Sequence, residues 1–352
     1  MKRKKIFVVF LLLFSILLTS FGFWTYQMLY SPNILVDRED RTLIVPRGET
    51  FKSLQSRLYD ANIVNDMVSF SFLAKLMNYD EQVKPGRYVM EANMTNLQAI
   101  RMLRAGKQEP VNITFNNVRL ISDLAPKITA NILLTEDEFN DALNAYVANN
   151  DEGFNHESII GMFIPNTYEV YFDITADGLI ERMNREYHNF WNEERLAKAD
   201  SLGLTPAEVS VLASIVQAES IKPDESPVIA GLYINRLKRN IALQADPTLV
   251  FASGDFTLKR VLNVHKEIDS PYNTYMYPGL PPGPINMPTI RTLDAVLNYE
   301  DHSYLYMCAR EDFSGYHNFA TNLNQHLINA QRYQRALTIE QRKARAQAAQ
   351  TN

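Results

Sequence analysis

A glutamate at the end of a strongly marked helix is the residue in this sequence whose position most suggests catalysis. Residues 205–208, Thr-Pro-Ala-Glu, combine a capping box with a proline at the first helical position, so a helix should begin there. Its apolar stripe consists of Val211, Leu212, Ile215 and Val216. Glu219 follows at helical spacing, which places a carboxyl group on the face that should be buried.

Burial raises the pKa of a carboxyl group, because the charged form loses more hydration than the neutral form. A glutamic acid that is protonated near neutral pH can donate its proton to a glycosidic oxygen, so Glu219 is a candidate general acid. The alternative is a solvated side chain or an ion pair with Lys222 or Arg236. The helix pattern alone favours that alternative, because most glutamates in proteins are exposed.

The motifs around Glu219 resemble those of the YceG-like family of endolytic murein transglycosylases, and they occur in the same order. They are residues 163–168 (FIPNTY), 212–220 (LASIVQAES), 228–237 (VIAGLYINRL), 243–248 (LQADPT), 270–275 (SPYNTY), 279–285 (GLPPGPI) and 317–319 (HNF). The sequence departs from the family pattern at residues 115–119 (FNNVR), where an acidic residue and a glycine are usual. It departs again at Asn166, which replaces an aspartate. We expect both departures to affect domain packing more than activity.

The resemblance implies a lytic reaction in which Glu219 acts as both acid and base. Protonated Glu219 would assist departure of the N-acetylglucosamine oxygen, and its carboxylate would then deprotonate the C6 hydroxyl of N-acetylmuramic acid. Closure of a 1,6-anhydro ring needs neither water nor a second carboxylate, and no metal or cofactor is expected. The resemblance also implies cuts within nascent peptidoglycan that limit strand elongation, with peptidoglycan synthases as partners.

Polar and aromatic residues beyond the helix are candidates for a substrate groove. Amide groups can bind N-acetyl and hydroxyl groups, and tyrosine offers an apolar face with a polar tip. The predicted substrate-binding residues are Gln244, Asp246, Tyr272, Asn273 and Tyr275. Six of the sixteen prolines fall between positions 271 and 288, which should stiffen this loop. Asp246 is followed by proline, so it is equally typical of a turn.

Two other functions stay open at this point. A hydrolytic muramidase would use water and a second carboxylate, for which Asp224, Glu225 and Asp246 are candidates. A membrane-tethered peptidoglycan-binding protein without catalytic activity would use the groove, together with a LysM-like module in residues 42–108, only for adhesion.

The N-terminal segment predicts a single membrane anchor. Residues 1–5 carry four basic side chains, and residues 6–30 are uncharged and apolar over a length that can span a bilayer. A cleaved signal peptide is the alternative, but the run is longer than a usual h-region and ends in interfacial aromatics, Trp24, Tyr26 and Tyr30. The positive-inside rule then places the rest of the chain on the periplasmic side of the inner membrane.

Composition restricts the remaining possibilities. The 352 residues have a net charge of −5, which argues against nucleic acid as a partner. Cys308 is the only cysteine, so an intrachain disulfide is excluded. The six histidines lack the spacing of a zinc site, and we expect no metal.

The overall prediction is an α+β protein with a small module and a larger catalytic domain. Strand, helix, helix and strand follow one another in residues 42–108, which resembles a LysM-type glycan-binding module, with a plain spacer domain as the alternative. Residues 31–41 are predicted to be a linker, 109–160 a mixed connector and 161–336 the mixed α+β catalytic domain. Residues 337–352 form a polar tail that should fray.

Overall fold

A computed structural model describes residues 2–258 and 260–351, and its elements are a mixture of helices and short strands, as predicted. The strands are β1 (Pro32–Ile34), β2 (Arg41–Val45), β3 (Gly86–Met90), β4 (Met94–Thr95), β5 (Val111–Phe115), β6 (Asn166–Val170), β7 (Tyr306–Ala309) and β8 (His317–Ala320). They pair as β1 with β4, β2 with β3, β5 with β6, and β7 with β8.

The α-helices account for about half of the described chain. They are α1 (Lys2–Tyr30), α2 (Phe51–Asp60), α3 (Met67–Leu76), α4 (Asn96–Ala105), α5 (Leu124–Thr129), α6 (Glu136–Ala148), α7 (Ala176–Phe190), α8 (Glu193–Leu202), α9 (Pro206–Glu219), α10 (Ser226–Lys238), α11 (Asp246–Ser253), α12 (Ile290–Leu297) and α13 (Leu323–Thr351). Short 3-10 helices lie at Ile121–Asp123, Ile159–Met162, Pro223–Glu225 and Asn263–Glu267.

The chain divides into two compact units that interleave along the sequence. Unit 1 contains the chain up to Ile113 together with Thr129–Thr135 and Tyr168–Thr175. Unit 2 contains Thr114–Ile128, Glu136–Thr167 and the chain from Ala176 onward. The predicted connector, 109–160, is therefore shared between the two units rather than forming a separate element.

Unit 1 has the predicted order of strand, helix, helix and strand. β2 and β3 form an antiparallel pair in which Leu43 lies opposite Tyr88. Thr50 caps α2 and Asp66 caps α3, each by accepting a hydrogen bond from a backbone amide of the first turn. Both helices bury their apolar faces in one core. The likeness of this unit to a LysM-type module stays a prediction.

The predicted linker at 31–41 is part of this unit, and that prediction is wrong. β1 pairs with β4, and the side chains of Ile34 and Leu35 are fully buried in the core of unit 1. α1 leads directly into this strand and contributes Met28 to the same core. Apolar residues within the polar run 31–41 are what anchor it.

α9 forms the centre of unit 2. It packs against α8, α10, α11 and α12, and every residue from Val209 to Val216 is buried. The helix is therefore surrounded on all sides, whereas the sequence pattern predicted one buried stripe. The capping box of Thr205 and Glu208 begins it as predicted.

The predicted C-terminal tail is helical over the residues that the structure describes, 337–351, while its fraying stays a prediction. α13 continues to Thr351. Its last turns are rich in alanine, glutamine, arginine and lysine, which are strong helix formers, so the helix needs little tertiary packing to persist.

Candidate active site

Glu219 is the last residue of α9, where the buried helix reaches a cavity. The chain turns away at Ser220, which adopts an extended conformation. The Glu219 side chain is partly exposed, in contrast to the buried residues from Val209 to Val216 earlier in the helix. A carboxyl group therefore lies at the boundary between the core of unit 2 and solvent.

The carboxyl group of Glu219 has one hydrogen-bond donor from a neighbouring helix. The Tyr233 hydroxyl donates to Glu219 Oε1 over 2.9 Å. Burial raises the pKa of Glu219 to about 7, with the hydrogen bond from Tyr233 opposing this shift, the charge of Asp246 adding to it and that of Arg236 reducing it. At neutral pH a substantial fraction of Glu219 is thus protonated and able to donate.

The ion-pair alternative for Glu219 does not occur in the described chain. The Lys222 ammonium lies over the ring of Tyr316, 4.8 Å from its centroid. The Arg236 guanidinium donates to the carbonyls of Leu305 at 2.6 Å and Leu243 at 2.9 Å. Arg236 is buried and held by backbone carbonyls, so it influences Glu219 through its charge without pairing with it.

Hydrogen bonds to the proline-rich loop fix the end of α9. Gln217 donates to Asn286 Oδ1 at 2.9 Å and accepts from the amide of Thr289 at 2.7 Å. Asn286 in turn donates to the carbonyl of Ser214 at 2.9 Å. Because these bonds lie within five residues of Glu219, they hold the last turn of the helix in one place.

Two cavities meet at Glu219, and Asp246 lines both of them. The first, named here the Arg119 cavity, has a volume of about 620 Å³ and is lined by Arg119, Arg260, Gln217, Phe251, Phe256 and Asn286 among others. The second, the Gln244 cavity, has a volume of about 420 Å³ and is lined by Gln244, Tyr233, Arg236, Tyr275, His317 and His326 among others. A chain-like ligand could therefore extend to both sides of the carboxyl group.

Three of the predicted groove residues lie together in the Gln244 cavity. Tyr275 donates to Asp246 Oδ1 over 2.5 Å. Gln244 is exposed and has a positive φ of 51°. Its side-chain oxygen accepts a hydrogen bond from Arg236 at 3.4 Å. The structure therefore brings Gln244, Asp246 and Tyr275 to the same side of Glu219.

The other two predicted groove residues lie outside the surfaces of these cavities. Asn273 is fully buried, and its side chain bonds only to the backbone of its own loop, at Lys266, Ile268, Tyr275 and Met276. Tyr272 packs against Phe251, with ring centroids 4.6 Å apart. Asn273 is thus placed to shape the loop, and Tyr272 to support the wall of the Arg119 cavity.

Of the three candidate second carboxylates, Asp246 alone lines the cavities with Glu219. Asp224 is exposed and accepts a hydrogen bond from Tyr316. Glu225 is buried and accepts from the backbone amide of His317 at 2.8 Å and from its Nδ1 at 2.9 Å. Glu225 therefore orients His317, a residue of the Gln244 cavity.

Sequence reasoning assigned no role to Tyr233 and considered Arg236 only as a possible ion-pair partner of Glu219, although both lie in the 228–237 motif. They are three residues apart on α10, so both polar groups emerge on one face of a helix that is otherwise largely apolar. That pattern was an available signal. Arg119 was also missed: its guanidinium lies 4.5 Å from the centroid of Phe256 in the cavity wall. The departure at 115–119 therefore lies beside the site.

Comparison with known proteins identifies the family of this chain. The model of the YceG-like family matches residues 43–332. Proteins named endolytic murein transglycosylase are similar: one from Streptococcus pneumoniae strain D39 is 26% identical and one from Bacillus subtilis strain 168 is 25% identical, each over 87% of this chain. The chain spans 61% of the pneumococcal relative and 89% of the Bacillus relative.

A solved structure gives the same result. The crystal structure of a YceG-like protein from Listeria monocytogenes matches with a TM-score of 0.50 and 25% identity, covering 82% of this chain and 98% of that one. Because the family model spans most of the chain, this protein belongs to the YceG-like family.

Proposed function

We propose that this protein is an endolytic lytic transglycosylase that cleaves the bond between N-acetylmuramic acid and N-acetylglucosamine in nascent peptidoglycan. The observation that carries the proposal is the partly buried Glu219, with its pKa raised to about 7, at the junction of two cavities. The names of the relatives from Streptococcus and Bacillus support the same reaction.

The reaction needs one group that first donates and then accepts a proton. Glu219 protonates the glycosidic oxygen as its bond to C1 of the muramic acid breaks. The resulting carboxylate then takes the proton of the C6 hydroxyl, and O6 bonds to C1 to close the 1,6-anhydro ring. Protons balance and no water is consumed. The hydrogen bond from Tyr233 stabilises the carboxylate that exists between the two steps.

Cavities on both sides of Glu219 suit cleavage within a strand, because sugar units can then bind on each side of the broken bond. Gln244 and Tyr275 offer hydrogen bonds to sugars on one side. On the other side Arg119 and Arg260 would meet the carboxylates of muramyl peptides. Cuts within new strands would limit their elongation. Because it acts on strands that are being made, the enzyme would work close to peptidoglycan synthases.

We propose a location at the inner membrane, with both compact units in the periplasm. α1 is long and apolar enough to span a membrane from Arg3 to Tyr30, and its N-terminal basic residues favour the cytoplasmic side. The module of unit 1 follows α1 directly, so it would lie next to the bilayer, where it could hold the glycan strand as it emerges.

One experiment separates the candidate reactions. The full chain in detergent is incubated with uncrosslinked glycan strands, and the new ends are identified by mass spectrometry. Anhydromuramic ends support the proposal. Reducing ends would instead indicate a hydrolase with Asp246 as second carboxylate, and intact strands would indicate a binding protein. The full chain is needed because Met28 of α1 belongs to the core of unit 1.

A further inference from the structure

An apolar stripe on the outer face of α3 stays largely exposed within the described part of unit 1, where only Phe72 has a ring contact, to Trp24 of α1. Val68, Phe72 and Leu76 recur every four residues, so they lie on one line along the helix. Their side chains are 77%, 50% and 66% exposed, respectively. The opposite face of α3 is buried in the core of unit 1. We call these three residues the α3 stripe.

The α3 stripe lies directly beside the end of the membrane-spanning helix. The ring of Phe72 meets that of Trp24 edge-on, with centroids 5.5 Å apart. The last turns of α1 are also fastened to the rest of the unit: Met28 is buried, and its carbonyl accepts a hydrogen bond from the Asn96 amide at 3.1 Å. The stripe and α1 are therefore parts of one packed unit.

The length of α1 places this contact at the membrane surface. The apolar run of residues 6–30 rises about 38 Å as a helix, whereas a hydrocarbon core is about 30 Å thick. Trp24 lies six residues before the end of α1, a distance of about 9 Å along the axis. Because tryptophan favours the boundary between headgroups and acyl chains, Phe72 must lie at or near the same depth.

We propose that the α3 stripe inserts into the headgroup and acyl-chain boundary of the outer leaflet, so that the bilayer covers it. Apolar side chains on one face of a helix are typical of such interfacial binding. Lys75, exposed next to Leu76, can extend its ammonium toward lipid phosphates. The module is then held against the membrane at two places, α1 and α3. Two points of attachment restrict its orientation relative to the bilayer.

Environment-sensitive labels in the full chain test the proposal. Cys308 is replaced by serine, and single cysteines at positions 72, 76 and 44 are labelled with the fluorophore NBD. The protein is placed in nanodiscs that contain only phosphatidylcholine and phosphatidylglycerol, with or without 5-doxyl lipid. Ile44 is the matched control: it is an exposed apolar residue of unit 1 beside Val111, where the chain continues toward unit 2. A label at Phe14, in the middle of α1, reports insertion of the anchor.

We expect blue-shifted emission at positions 72 and 76 and roughly threefold stronger quenching by doxyl lipid than at position 44. Equal quenching at 72 and 44, or none at 72 while position 14 is quenched, would overturn the proposal. The second result would indicate a protein partner for the stripe, since the discs contain lipid alone. These readings do not depend on catalysis, so they can fail or succeed independently of the transglycosylase proposal.

A double substitution separates the contribution of the α3 stripe from that of Trp24, whose contact could by itself hold Phe72 near the bilayer. Val68→Glu with Leu76→Glu places two charges at the boundary without touching the buried face of α3. Quenching at position 72 should then fall by roughly half or more, because burying a charge in the bilayer is costly. Unchanged quenching at 72 would show that the stripe contributes nothing to membrane contact. Circular dichroism before reconstitution verifies that the variant is folded.

Discussion

The two cavities that meet at Glu219 differ in the use of their positive charge. In the Gln244 cavity, Arg236 is buried and donates to backbone carbonyls. In the Arg119 cavity, Arg119 and Arg260 are exposed, and Arg119 lies over the ring of Phe256. A buried guanidinium that is held by backbone carbonyls orders the protein around it, whereas an exposed one stays available to an anion. One side of the acid therefore adjusts the proton affinity of Glu219, while the other side offers positive charge to a ligand.

The largest expected effect comes from removing the acid that both cavities share. Glu219→Gln should reduce strand cleavage by about 10²–10⁴-fold, because the amide can neither donate nor accept the proton. Asp224→Asn is the matched control, an exposed carboxylate nearby that lines neither cavity. Release of new strand ends is the measurement. Equal activity of the Gln variant and the wild type would assign the acid elsewhere.

The same substitution should change stability in a pH-dependent way. The native pKa of Glu219, about 7, lies above the ordinary value of 4.5, so its favourable contribution is complete below pH 4.5 and is lost as pH rises through 7. Glutamine has no such dependence. Relative to the wild type, Glu219→Gln should gain about 2–3 kcal/mol in free energy of unfolding between pH 4 and pH 8. Urea titrations at both pH values measure this, and parallel curves would contradict the shifted pKa.

A smaller effect, on the pH dependence of activity, is expected from Tyr233 in the Gln244 cavity. Activity should fall as pH rises through about 7, because Glu219 must begin protonated. Tyr233→Phe removes a hydrogen bond that lowers the pKa of Glu219, so this fall should move to higher pH. Tyr306→Phe, which removes another hydroxyl from the same cavity, is the control. A pH profile that moves equally in both variants would show that Tyr233 has no special role.

The smallest expected effect separates the ligands of the two cavities. Arg119→Ala should weaken binding of peptide-bearing strands by about fivefold, with less effect on peptide-free strands, because the lost contact is with carboxylates. Gln244→Ala should weaken both kinds of strand by a similar factor, since its proposed contacts are with sugars. Pull-down of each strand by the Glu219→Gln protein measures binding without cleavage. The same pattern for both variants would remove the distinction between the cavities.

Much of the local structure could be predicted from short-range signals. The capping box of Thr205 and Glu208 correctly predicted the start of α9, because the residues that satisfy the first-turn amides are neighbours in sequence. The linker at 31–41 could not be predicted in the same way. Its polar composition is typical of a loop, but Ile34 pairs with Val64 and Met94. The backbone of Leu35 bonds to Ile63 and Asn93, so these partners all lie far along the chain.

The candidate site likewise has features that short-range signals predict and others that depend on distant parts of the chain. Helical spacing alone could place Glu219 on an apolar face, and ordered motifs could mark the segments that surround it. Asn273 shows the limit of that approach: an amide in a motif is equally compatible with binding a sugar or with bonding its own loop, and the structure uses all of its side-chain bonds within the loop.

Local sequence specifies the apolar N-terminal helix, the start of α9 and the position of Glu219 at the end of that helix, because each depends on residues close together in the chain. The surroundings of the carboxyl group follow only from the tertiary fold. Tyr233 donates to Glu219 from the next α-helix, and Arg119 approaches from a segment a hundred residues earlier. Proton affinity and cavity shape depend on burial and on neighbours in space, which residue spacing does not specify.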